Sequence, residues 1–227
     1  LTTGAGNLAI GYNAASALTT GNYNTAVGYN SLANLETERS ATASGNVAIG
    51  YGAADAFEDS ESDNIAIGLN AMGAWKEGAA AVDRNICIGT DAGLGGDCGG
   101  DAGASFVDCI AIGYQAMDGT LQNGSGAGTI AIGSNALGAL TSGTGNTAIG
   151  YSAGAEETAG NDNTLLGYQA MDDGGGLTNL SNVFIGTNSG GGTWVTGACN
   201  YNTVVGAASM TAACNDAQHN VVVGYAS

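Results

Sequence analysis

The sequence predicts an all-β protein, a parallel β-roll or β-solenoid of about twelve coils. Three observations carry that expectation. A five-residue motif (typically Asn, any residue, a small residue, Ile or Val, Gly) occurs with variations twelve times. The motif glycines are spaced irregularly, by 17 to 24 residues. The 227 residues include 41 Gly and no Pro, which with a regular repeat points to many tight turns. Fixed motifs joined by variable spacers mark stacked units whose loops change length without disturbing the stack.

In chain order the motifs are Asn7–Gly11, Asn24–Gly28, Asn46–Gly50, Asn64–Gly68, Asn85–Gly89, Cys109–Gly113, Thr129–Gly133, Asn146–Gly150, Asn163–Gly167, Asn182–Gly186, Asn202–Gly206 and Asn220–Gly224. Each holds one short strand, which buries its apolar face only by stacking on the next. Side chains alternate along a strand, so the residues three and one before each Gly share a face. That face carries pairs such as Leu8/Ile10, Ile65/Ile67 and Val221/Val223, with Thr beside Val, Ile or Leu in four motifs. These types favour strands. The opposite face holds Ala or Cys in the first eight motifs and enlarges to Leu165, Phe184, Val204 and Val222 in the last four. Small residues there imply close packing by a second chain or by the return limb of the coil. The C-terminal third must leave more room.

Ten motifs open on Asn: Asn7, Asn24, Asn46, Asn64, Asn85, Asn146, Asn163, Asn182, Asn202 and Asn220. Stacked Asn side chains hydrogen-bond along parallel coils and suit corners, so these residues read as a structural ladder. Tyr follows the Gly in seven motifs, from Tyr12 to Tyr225. That column reads as packing past the turn, with a sugar-stacking surface as the functional alternative. Ala or Ser three residues after the Gly, often followed by Leu or Met, marks a second short strand or a turn on the return path.

No domain boundary interrupts residues 1–227, so a single repeat array is expected. Leu1-Thr2-Thr3-Gly4 repeats Leu18-Thr19-Thr20-Gly21, and the last residues fall within a repeat. The expectation is a segment of a longer fibre. Coils about 4.8 Å apart would give a rod of roughly 55–60 Å.

Three basic and 20 acidic residues give a formal charge of -17. That excludes nucleic-acid binding, which needs Lys and Arg on phosphates. It disfavours anionic membrane surfaces and suits a soluble extracellular fibre. No membrane-inserting run is present. Five cysteines suggest a buried thiol at Cys87 and two local disulfides, Cys98–Cys109 and Cys199–Cys214, in an oxidising compartment, although sequence leaves the connectivity open.

Chemistry is sparse. His219 is the single His and has no nucleophile or acid that sequence ties to it. No catalytic residue and no cofactor are expected, and the chain reads as a non-enzyme. Glu58, Asp59, Glu61 and Asp63 concentrate oxygen ligands and are weak calcium candidates, against the simpler reading of a solvated loop. Asp97 and Asp101 are similar. Asn123-Gly124-Ser125 and Asn179-Leu180-Ser181 fit the glycosylation sequon. Trp75 with Lys76, and Trp194, are the loop residues most suited to touching a ligand.

The run Asn-Thr/Val-Ala-Ile/Val-Gly, followed by Tyr-Asn/Gln-Ala, resembles the head repeats of trimeric autotransporter adhesins, the YadA-like head. Similar repeats with longer spacers occur in phage and marine-virus tail fibres. The resemblance covers all twelve motifs. It implies a left-handed β-roll, an intertwined homotrimer with the Ile/Val face inward, and an extracellular, cell-surface or virion location. The spacers here are longer and less regular than in adhesin heads, and Cys is present. The expected function is a structural and adhesive fibre module that meets a glycan or protein receptor through exposed loops. A self-assembling filament without receptor, or a carbohydrate-active tailspike with two carboxylates about 5–10 Å apart, are the alternatives.

Overall fold

The computed structural model describes residues 4–16, 18–33, 43–57, 61–74, 82–95, 106–119, 126–173, 178–192, 197, 199–211 and 216–227. Among these residues the protein is an all-β parallel solenoid with no helix. In chain order the strands are β1 (Leu8–Ile10), β2 (Thr25–Val27), β3 (Val47–Ile49), β4 (Ile65–Ile67), β5 (Val82–Asp83), β6 (Ile86–Ile88) and β7 (Phe106–Val107). Then follow β8 (Ile110–Ile112), β9 (Ile130–Ile132), β10 (Thr147–Ile149), β11 (Thr164–Leu166), β12 (Val183–Ile185), β13 (Thr203–Val205) and β14 (Val221–Val223). All but β5 and β7 form one 12-stranded sheet in sequence order. Every neighbouring pair is parallel and in motif register, so that Ala48 lies beside Ala66 and Ile49 beside Ile67.

The solenoid has about nine turns, a correction to the twelve coils expected. Each motif still supplies one strand to the sheet. Most spacers also run through residues outside the described set.

The three-residue strands are held between left-handed corners. The residue five before each motif Gly has φ between 55° and 74°, and the residue two after it between 50° and 60°. A third corner falls four residues after the Gly, at φ 49–69°. Most corner residues are not Gly, and the third corner includes Leu32, Met72, Met117, Leu137, Met171 and Met210. Such conformations cost free energy and persist only where the surroundings over-determine them. Here the corner amides bond from coil to coil: Asp63 N donates to Ser44 O at 3.0 Å, Asn70 N to Tyr51 O at 2.9 Å and Leu32 N to Ala53 O at 2.9 Å. The return path is thus a turn, not the second strand that the Ala/Ser-Leu/Met pattern also allowed.

The motif glycine has a double cause. Its φ lies between 133° and 151°, which L side chains avoid. A Cβ on Gly28, Gly50 or Gly68 would also strike the carbonyl of the next motif's Gly. One methyl group would push adjacent coils apart.

The core lies on the small face of the strands. Ala26, Ala48, Ala66, Cys87, Ala111, Ala131 and Ala148 are buried, as are Leu165, Phe184 and Val204. They pack against the third corner of the return limb, where Leu32, Met72, Met117, Leu137 and Met171 are buried. The close neighbour of the Ala face is therefore the chain's own return limb.

Candidate functional site: an apolar sheet face with a tyrosine border

The other face of the sheet points away from the core. Each motif strand carries an aliphatic or Thr side chain at both outer positions, and no charged residue falls there in the whole stack. Among the described residues these outer side chains stay partly exposed along the stack. Ile49 and Ile149 remain 37% exposed and Leu166 43%, whereas Ala48, Ala148 and Leu165 between their outer pairs are 0% exposed. Exposed single apolar residues are ordinary, but a contiguous apolar sheet is the mark of an interaction surface.

A tyrosine column borders the face. Tyr12, Tyr29 and Tyr51 stack at 5.2 and 5.1 Å between ring centroids, with planes within 16°. Tyr151 and Tyr168 stack at 5.3 Å. Leu69, Thr90, Ser134, Thr187 and Ala207 occupy the same place in other motifs and interrupt the column. The rings use their flat faces on one another and turn edges outward. A sugar ring needs the flat face, so within these stacks the geometry favours a packing column.

A second outer column runs along the corner before each Asn. It holds Tyr23, Asp63, Arg84, Asp108, Asp162, Tyr201 and His219. Arg84 donates from Nε to Asp108 Oδ1 at 2.7 Å and from a terminal nitrogen to Asp108 Oδ2 at 3.0 Å. The hydrogen bonds lower the Asp108 pKa and raise that of Arg84. The pair is exposed, so its contribution to stability is small. His219 lies flat on Tyr201 at 5.0 Å between ring centroids.

The interior holds a polar line beside the apolar core. Asn46 Oδ1 accepts from Asn64 N at 2.9 Å and from Asn64 Nδ2 at 3.1 Å, while Asn64 Nδ2 also donates to Val82 O at 2.7 Å. The same bonds run from Asn7 to Asn85 and again from Asn146 to Asn220. Within each run the asparagine side chains are engaged by one another and by backbone, which leaves the inner members little capacity for a ligand.

Two carboxylates stand out for the rise that burial gives their pKa. Glu157 is fully buried; its Oε2 accepts from Asn179 Nδ2 at 2.8 Å, and burial pushes its pKa up to about 7. Half-buried Asp55 is raised by burial to about 6. Asn179 Oδ1 accepts from Cys199 N at 3.0 Å. Asn179 is also the first residue of a sequon, and its burial with both ends engaged closes it to glycosylation in the folded chain.

Cys87 and Cys109 are buried free thiols. Burial raises both, Cys109 to about 11, which keeps them protonated and unreactive. Cys199 is buried. Their suggested partners Cys98 and Cys214 lie outside the described residues, as do Trp75, Lys76, Trp194 and Asn123. Of the calcium candidates, Glu58 and Asp59 also lie outside; Glu61 is buried within the coil, and Asp63 is exposed at a corner. Among the described residues no group of three or more His, Cys, Asp or Glu converges on a metal position, and no helix is long and apolar enough to cross a membrane. No family model, curated protein or solved structure matches the chain.

Sequence reasoning missed the Glu157–Asn179 pair. Its members are 22 residues apart on different spacers, and only the stacking brings them together.

Proposed function

We propose that this chain is a structural and adhesive module of an extracellular or virion fibre. Three copies close around their Ile/Val sheet faces, and the spacers carry receptor contacts to a glycan or protein. One observation carries the reading: a charge-free apolar sheet face runs the length of a chain whose formal charge is -17. Each half-exposed Ile or Val that a second copy covers gains part of the roughly 1.5–3 kcal/mol of full side-chain burial, repeated at every rung. A single coil lined by Ala has a thin core, and association supplies what it lacks. The resemblance to adhesin heads points the same way.

Light scattering of the 1–227 chain in dilute buffer tests it. The expected native mass is three times the 22.0 kDa chain mass. Ile67→Asp places a charge in the middle of the face and should lower the mass to that of a monomer while far-ultraviolet circular dichroism stays that of a β protein. A stable wild-type monomer would sink the closed-fibre reading, and open-ended polymers would favour the filament.

A further inference from the structure

The ladder asparagines fall into two runs of five, Asn7 to Asn85 and Asn146 to Asn220. The step between the runs is built differently. The Cys109 amide still donates to Asn85 Oδ1 at 2.9 Å, and the Cys109 thiol donates to Gly126 O at 2.9 Å. It thereby replaces the bond that Asn85 Nδ2 makes to Phe106 O at 2.6 Å one rung earlier. Sulfur is a weak acceptor, however, and offers the next coil little. The Thr129 amide turns back to Gly126 O at 3.2 Å. Thr129 Oγ1 is buried without a hydrogen-bond partner, so it supplies no acceptor to Asn146. The outer corner is unbroken across this step, with Gly128 N donating to Val107 O at 3.0 Å and Gly145 N to Ala127 O at 3.1 Å, so the break is confined to the buried ladder. The main sheet itself continues through β8, β9 and β10.

We propose that the Cys109–Thr129 step divides the solenoid into two cooperative units and is where the stack opens first. Stability in a stacked chain is close to a sum of nearest-neighbour terms, so the weakest internal neighbour sets the boundary. A buried hydroxyl without a partner weakens that neighbour more than a made bond would strengthen it. Each unit keeps five intact rungs, more than the roughly three repeats a stack needs to hold together. The inference concerns one chain's ladder and stands whether or not the fibre is trimeric.

Hydrogen exchange by mass spectrometry on the intact chain tests it. Amides of β8 and β9 should exchange roughly tenfold faster than those of β3, β4, β11 and β12. The double variant Cys109→Asn/Thr129→Asn should slow β8 and β9 to the common rate. Uniform protection in the wild type, or a folded double variant with unchanged exchange, would overturn the proposal. Should that variant fail to fold, Asn64→Cys/Asn85→Thr moves the break instead. It should create a new fast step at β4 and β6, and the absence of one would count equally against the idea.

Discussion

The first eight rungs and the last four solve the same packing problem with opposite residues. In the first eight, the strand contributes Ala or Cys, and in half of these coils the return limb fills the space with Leu32, Met72, Met117 or Leu137. In the last four, the strand contributes Leu165, Phe184, Val204 or Val222, and the limb gives way at Gly190 while Met171 and Met210 keep their place. A Cβ on Gly190 would strike the Phe184 ring, and one on Gly154 would lie 2.7 Å from Leu165 Cδ1. Cys87 shows the trade in miniature, because Gly93 is Gly where a Cβ would strike its sulfur. The backbone path is common to both regions, and only the division of core volume between limb and strand differs. That common path rests on features both regions share: corner geometry, the motif Gly and the asparagine rungs.

The largest effect should therefore come from a shared feature. Gly68→Ala combines a forbidden φ with a collision against Gly89. A loss of more than about 4 kcal/mol is expected, enough to abolish a folded transition in chemical denaturation. Gly186→Ala in the second region should be as severe. A mild effect at either position would mean that coils separate more easily than the Gly-to-Gly contact implies.

Next comes the trade itself. Phe184→Ala should cost about 3–5 kcal/mol, because Phe184 is fully buried and the void has no neighbour to refill it. Phe184→Ala/Gly190→Met converts the coil to the N-terminal arrangement. Met210 and Met72 already occupy the same corner at φ 54° and 53°, so Met is compatible with that backbone. The double variant should recover a large part of the loss, read as a coupling energy in a double-mutant cycle. Strict additivity would break the comparison between the two regions.

Much of this architecture was legible in the sequence. The strands were legible because alternation around a fixed Gly has one reading, and the asparagine rungs because ten copies share one place. The corner that holds Leu32, Met72 and Met171 was not. Nothing in Leu or Met announces a left-handed φ; coil-to-coil hydrogen bonds impose it. The burial of the sequon at Asn179 was not legible for a related reason. A local tripeptide says nothing of Glu157, which arrives from the preceding coil. The apolar face was legible as a face, and its half-exposed state required the return limb to be seen on the other side.

Glu157 lies where the two regions meet and sharpens the comparison through pH. Its folded pKa, about 7, lies above the ordinary 4.5, because burial disfavours the charged form. Below pH 4.5 folded and unfolded chains are both protonated there, and the group has no effect. As pH rises from 4.5 to about 7 the unfolded chain ionises first, so stability falls, and the whole penalty is present above 7. Glu157→Gln removes this titration. The variant should gain up to about 3 kcal/mol over the wild type at pH 8 and nothing at pH 4. Equal differences at both pH values would show that the carboxyl is already solvated.

The smallest effect concerns the exposed column, where the regions differ in the length of their tyrosine stacks. Tyr29 lies between Tyr12 and Tyr51, whereas Tyr114 is flanked in its column by Thr90 and Ser134. Both rings are about half exposed, at 45% and 54%, so area burial differs little between them. Tyr29→Ala should cost about 1 kcal/mol, the scale of ring-on-ring contact beyond burial, and Tyr114→Ala less than half of that. The difference in melting temperature between the two variants isolates the stacking. Equal losses would mean that each tyrosine is held by its own coil, and the column would then be a set of separate rings standing beside the apolar face rather than a brace along it.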